Sequence, residues 1–274
     1  MPTIHEAAVA GTFYPGQPQQ LADNVNALLD AVPTREFIAQ PKAIVVPHAG
    51  YVYSGPTAAT AYASLVRNAA DVRRVVLLGP VHRVPVRGLA LPGVDAFTTP
   101  LGAIELDRAA IADLAGLPQV VASPAAHQLE HSLEVQLPFL QTMLDDFTLI
   151  PLAVGEVSIE QVAKVLEKLW GGPETLIVIS SDLSHFLSYQ QAQLIDRDTV
   201  EAMLALRPLT SFEQACGATP VNGLLHAARR HHLLPELLDL CNSGDTAGDK
   251  QRVVGYAVIA FYESASASSE DQTH

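Results

Sequence analysis

KAIVVPHAGYVYSG, from Lys42 to Gly55, is the stretch that sets the fold class. Ala43, Ile44, Val45 and Val46 form a short apolar run of the kind that makes a fully buried strand. Pro47 ends it, because proline has no N–H to give to a sheet ladder. His48 follows at the carboxyl end of that strand, the edge where open α/β sheets collect ligands and chemistry. Gly50 and Gly55 ease the backbone around Tyr51, Tyr53 and Ser54, and both tyrosines are expected at the pocket wall. PTAATAYASLV then reads as a helix with Pro56 at its first position. The unit is strand, polar loop with His48, helix. Taken alone, His48 is equally well explained by a hydrogen bond within the turn.

The pattern recurs. RRVVLLG, Arg73 to Gly79, is another buried-strand run, followed by Pro80, Val81 and His82. Leu176 to Ile179 opens into Ser180, Ser181, Asp182 and His185. Three strands thus deliver a histidine to one edge of a parallel sheet. Chance accounts for one such placement easily and for three poorly. Imidazoles converging on one edge indicate a metal site or an acid–base site.

Outward from these strands, the chain reads as one α/β domain over residues 1–262, a mainly parallel central sheet flanked by helices, with a disordered polar tail, ESASASSEDQTH, over 263–274. Ile4 to Pro15 is apolar enough to pass close to the core, and Gln17 to Val32 is an amphipathic helix. Val84 to Leu91 and the Pro/Gly-rich LPGVDAFTTPLG read as an excursion from the βαβ repeat. Ala126 to Leu144 is expected as a helix that Pro138 kinks or splits in two, with Leu129, Leu133, Leu137 and Leu140 facing the core. FTLIPLAV (147–154), Leu237–Leu240 and Val253–Tyr262 are strands. Ser188–Leu206 is a long helix whose charged residues Asp196, Arg197, Asp198 and Glu201 predict partial exposure. Arg229 to His232 suit the C-terminal end of the helix they close.

Composition limits the partners. Of the 274 residues 49% are hydrophobic and the mean hydropathy is +0.21, yet no apolar run approaches the ~18 residues needed to span a membrane. The start, MPTIHEAAVAGTFYPG, lacks the basic and apolar regions of a secretory signal, so a cytoplasmic protein is expected. A net charge of −13 argues against nucleic acid and anionic membrane as partners. Cys216 and Cys241 form no CxxC and are read as free thiols, Cys216 as a small buried residue. Glycines form neither G-x-G-x-x-G nor a phosphate-binding loop, and Ser180 and Ser181 do not sit in a G-x-S-x-G elbow.

With these motifs in order, the chain resembles the Memo family, which in bacteria and archaea corresponds to protein B of the AmmeMemoRadiSam system. The matching pieces are AVAGTFYPG, VPHAGYVYSG, LLGPVHR, EHSLEVQLPFL, SSDLSH, CGATP, NSGD and VVGYA, covering roughly residues 6–262. The resemblance implies the α/β fold of the class III extradiol dioxygenase catalytic subunit, enzymes that open catechol rings with non-heme Fe(II). It further implies AMMECR1-like and radical-SAM partners. By the same resemblance His48 and His82 are metal ligands and His185 is the acid–base histidine, while Asp182 and His131 line the same pocket and are expected to serve catalysis, Asp182 by orienting His185 and His131 by assisting it. Fe(II) is the expected ion, with Zn or Cu as alternatives.

The third ligand stays open. In the dioxygenases it is a glutamate and in the animal Memo protein a cysteine near the chain end. Counted back from Val253, that position falls near Thr246, and Cys241 lies five residues too early. Asp245 or Asp182 would complete a two-histidine, one-carboxylate triad suited to Fe(II). The resemblance thus implies a dioxygenase-like oxidoreductase acting on an unidentified small-molecule or protein substrate, and two other readings stand beside it. A non-catalytic metal- or phosphopeptide-binding module would use Arg83 to meet phosphate. A zinc peptidase would use H-x-x-E-H, His127 to His131, as two histidines and a glutamate on one helix.

Overall fold

The three apolar runs that end in histidine loops lie side by side. The computed structural model describes residues 3–264 apart from 36, 38 and 66–68, so the expected polar tail falls almost wholly outside the described residues. In chain order the elements are β1 (Ile4–His5), α1 (Pro18–Asp30), β2 (Ala43–Val46), α2 (Tyr51–Ala63), β3 (Arg74–Pro80), β4 (Leu89–Leu91), β5 (Ala96–Thr99) and β6 (Gly102–Glu105). They continue with α3 (Arg108–Asp113), β7 (Val120–Ala122), α4 (Pro124–His127), α5 (Leu137–Met143), β8 (Thr148–Val154), α6 (Ile159–Leu169) and β9 (Thr175–Ser180). β10 (His185–Leu187), α7 (Tyr189–Leu204), α8 (Ala218–Arg230), β11 (Leu234–Asn242) and β12 (Val253–Tyr262) complete the fold.

The architecture is α/β, with a mixed central sheet in the order β10-β12-β2-β9-β3-β8-β4-β7 and β11 paired to β12. Its middle, β2, β9, β3 and β8, is parallel, as the buried runs require. β12 and β4 join that middle antiparallel on either side. Alternation along β2 splits the core: Ala43 and Val45 face one apolar cluster with α6 and α8, while Ile44 and Val46 face the other with α1, α2 and α5. Among the described residues no helix is long and apolar enough to cross a membrane.

Four local expectations change. α2 begins at Tyr51, with Pro56 inside it, because the Gly50 carbonyl already accepts the amides of Tyr53 (2.8 Å) and Ser54 (3.1 Å). Proline then removes one helical hydrogen bond without preventing the turn before it. The 126–144 segment is split in two, but the break lies ahead of Pro138: α4 stops at His127, and α5 starts at Leu137 with Pro138 in its first turn. Between them the Glu130 carboxylate accepts the amides of His131 and Ser132, both at 2.9 Å, so a side chain takes donors that a helix would use. Leu129 is consequently 57% exposed, whereas Leu133, Leu137 and Leu140 are buried. Asp196 is buried rather than exposed; it accepts the Ser184 amide at 3.0 Å, and burial pushes its carboxyl up to about 6.

Candidate metal centre

Sheet register brings the site together. β2 and β9 pair Val46 with Ser180, so two residues further along, His48 and Asp182 stand next to each other. The His48 amide donates to Asp182 Oδ1 at 2.7 Å. β3 continues the same edge, and His82 follows two residues after Pro80. Gly79 lets the next loop press onto β3: a Cβ there would stand 2.8 Å from Ser132 Oγ and 3.0 Å from Leu133 Cδ2. That close approach carries Glu130 and His131 against His82.

His48, His82 and His131 each offer one ligand atom, and these atoms lie within 4.8 Å of one another, an arrangement that can hold a metal ion. Ring centroids are 5.2 Å apart for His48 and His82, 5.4 Å for His48 and His131, and 4.7 Å for His82 and His131. The site grades from the buried His48 to the His82 side chain at 30% exposure.

Hydrogen bonds fix which ring nitrogens carry protons. Ser180 Oγ spends its single proton on the Ser132 carbonyl (2.6 Å) and also accepts from Gln136 Nε2 (2.9 Å). At 2.9 Å from His48 Nδ1 it must therefore accept, which puts the lone pair on His48 Nε2, where the Cys216 thiol donates to it at 3.4 Å. His82 Nδ1 donates to Glu130 Oε1 at 2.8 Å, leaving the lone pair on its Nε2 in the same way. His185 Nδ1 donates to the Leu183 carbonyl at 2.8 Å. Neutral imidazoles oriented by a hydrogen bond from the far nitrogen are the form in which histidine binds metal.

Electrostatics agree. Burial, then the neighbouring imidazoles of His131, His82 and His185, hold His48 well below the ordinary histidine value. Burial also brings His131 down to about 4, with Glu130 opposing and His82 and Arg83 assisting. His185 is lowered, mainly by burial. Burial alone would raise Glu130, but the His82 ring and the amides of Ser132 and His82 outweigh it and take the carboxyl to about 2. Asp182 is buried and pushed up to about 7, against the pull of the His48 and Ala49 amides.

The other expected residues are placed as follows. His185 is close enough to His82 and His48 to feel their charge, but the Leu183 carbonyl rather than Asp182 orients its ring. Asp245 is not among the grouped ligands; it caps a turn through the Asn242 amide at 3.0 Å and accepts from the Tyr189 hydroxyl. Cys241 packs on Thr57 Oγ1 at 3.0 Å. His127 is buried with Nε2 on the Ala90 carbonyl at 2.8 Å, and it does not join the clustered histidines. The two histidines of H-x-x-E-H thus lie on either side of a helix end, and its glutamate braces His82. Tyr51 turns into the core, its hydroxyl on the Val135 carbonyl, while Tyr53 is 39% exposed.

Three contributors were missed from sequence. Glu130 and Ser180 set the imidazole tautomers, and Cys216 places Sγ 3.4 Å from His48 Nε2. Gly217 makes the last possible, since a Cβ there would meet Ser181 Cβ at 2.6 Å. The CGATP motif was the available signal, but its partner histidine lies far away in the chain.

Comparisons with known proteins follow the same lines. A family model described as Memo-like protein matches residues 5–260. A MEMO1 family protein of Aquifex aeolicus (strain VF5) is 36% identical over 271 residues, 94% of this chain and 99% of that protein. A MEMO1 family protein of Methanosarcina barkeri (strain Fusaro) is 36% identical over 273 residues, covering 93% and 99%. One of Archaeoglobus fulgidus is 33% identical over 270 residues, covering 92% and 97%.

Proposed function

The chain belongs to the Memo family, and from that premise and the clustered imidazoles we propose a metal-dependent oxidoreductase of the dioxygenase-like type. The observation that carries this reading is three histidine ligand atoms within 4.8 Å, two of them on rings whose protons are held on Nδ1 by hydrogen bonds, leaving the lone pair on Nε2. Such a donor set fits a divalent transition ion, because imidazole suits Fe, Zn and Cu alike. His48, His82 and His131 would hold the ion, and Fe(II) is the ion we assign, on the likeness to the extradiol enzymes. Bound there, it would supply open coordination positions for dioxygen and a chelating substrate.

The protein's own groups do the rest. Glu130 accepts the Nδ1 proton of His82, which places the ring's lone pair on Nε2 and fixes its direction. Ser180 and Asp182 do the same for the His48 ring and backbone. His185 has Nδ1 engaged by Leu183 and Nε2 available, so it can accept and return a proton as general base and acid. Phe13, whose ring centroid is 4.7 Å from that of His131, covers part of the cluster.

The test is metal content by mass spectrometry after anaerobic purification, followed by dioxygen uptake with chelating aromatic substrates. Wild type should carry close to one ion per chain, and His48→Ala/His82→Ala none. His131→Ala should lose it as well, whereas Asp245→Asn should keep it. His185→Gln should retain the ion and cut uptake by about 10²–10⁴. Failure of wild type to bind Fe(II), Zn(II) or Cu after reconstitution would overturn the proposal.

A further inference from the structure

Beside the histidines lies a cleft of about 780 Å³ with a different character. It sits outside the carboxyl ends of β3 and β8, which pair Pro80 with Val154 at their last residues. Ligands bind at that position in open α/β sheets. Val81, Val86, Val154, Val157 and Pro220 line it, together with Cys216. Two of these residues tie it to the proposed centre. Val81 directly precedes His82, and Cys216 Sγ is 3.4 Å from His48 Nε2.

The charges at the cleft select nothing. Arg87 and Glu156 stand 3.5 Å apart, with side chains 93% and 82% exposed, so they neutralise each other in solvent at the mouth. A charged group placed between the valines would lose hydration without meeting a counter-ion. The outer wall is also rigid. The Glu156 amide donates to the Val86 carbonyl at 2.7 Å, that of Gly155 to Gly88 at 3.0 Å, and that of Gly88 to Glu156 at 2.9 Å. A Cβ on Gly155 would meet the Val86 carbonyl oxygen at 2.1 Å. The wall is held by backbone, so the cleft is formed before anything binds. Phe212, 70% exposed at the lip, adds an aromatic surface with nothing to cover it.

We infer that this cleft binds a neutral, largely apolar small molecule, an aromatic or aliphatic body whose polar reacting end lies beside His48 and Cys216. Its volume falls within the roughly 300–1,000 Å³ of clefts that enclose drug-sized ligands. The binding step rests on the cleft alone. Only the assignment of this molecule as substrate rests on the proposed metal centre.

The experiment uses metal-stripped full-length protein and the neutral fluorophore N-phenyl-1-naphthylamine. Its fluorescence should report one saturable site. The 8-sulfonate of the same fluorophore should bind at least tenfold more weakly. Thr219→Phe and Val157→Phe, both at half-buried cleft positions, should each weaken binding about tenfold or more. A second readout needs no variant. Bound fluorophore should slow alkylation of Cys216 but not of Cys241, the only other cysteine, as followed by peptide mass spectrometry. Unchanged binding in both variants with Cys216 unprotected would overturn the inference, as would tighter binding of the sulfonate. Protection of Cys216 in a protein that binds no metal would leave the cleft standing and remove the metal centre. Metal loading without protection would do the reverse.

Discussion

Glu130 and Glu134 are the same residue type, four apart, 3% and 1% exposed, and they behave in opposite ways. Glu130 receives the His82 amide at 2.5 Å, the His82 ring at 2.8 Å and the amides of His131 and Ser132. It is held ionised, at about 2, although burial opposes this. Glu134 receives the amides of Ala8 (2.6 Å) and Val9 (3.0 Å) and the hydroxyl of Tyr14 (2.5 Å). Those three donors do not offset its burial, and its carboxyl is raised. One glutamate orients an imidazole, and the other fastens the N-terminal segment that carries Phe13 over the site. Burial alone therefore does not set a carboxylate's state; the number and kind of donors around it do.

The largest separation between the two is expected in metal affinity. Glu130→Gln should weaken binding of Co(II), titrated against a competing chelator, by about 10- to 100-fold, the usual cost of losing a ligand's hydrogen-bond partner. Glu134→Gln should leave it within about twofold, since none of its partners is a clustered histidine. Equal losses in both would mean that Glu130 acts by general packing, and the contrast between the residues would collapse.

A second, smaller difference appears in stability against pH. A carboxyl raised on folding contributes stability that is present below its unfolded value and lost as pH rises through the folded one. Relative to Glu134→Gln, wild type should thus lose stability as pH rises above the ordinary glutamate value, as read by urea unfolding. A gain in wild-type stability over that range would show Glu134 to be held ionised like Glu130.

This contrast also marks how much was legible beforehand. His48, His82 and His185 were readable because a buried parallel strand announces itself by a run of four apolar residues, and its carboxyl end is where the loop must emerge. The parallel order of β2, β9, β3 and β8 followed from the same runs. What remained hidden depends on side chains that capture backbone donors. Nothing in the spacing of EHSLEVQL announces that Glu130 will bond to His131 and Ser132 and stop a helix. Leucines at helical spacing favoured the helix, and tertiary contacts to β3 decided otherwise. Cys216 was hidden for a related reason, because its position depends on the absent side chain of Gly217 against Ser181.

Leu129 gives the smallest expected effect and the most direct check on that account. In a continuous 126–144 helix it would share the buried face with Leu133, Leu137 and Leu140, and Leu129→Ser would cost several kcal/mol, about 2–5 by analogy with other large-to-small core changes. With the helix ended at His127, Leu129 is 57% exposed at the edge of the loop that presents Glu130. Leu129→Ser should then shift unfolding by no more than about 0.5 kcal/mol, while Leu133→Ser, at a buried position, should cost the full core penalty. Comparable losses at the two positions would restore the continuous helix. Glu130 would then lose the loop amides that hold it ionised, and the difference between the two glutamates would have to be explained by His82 alone.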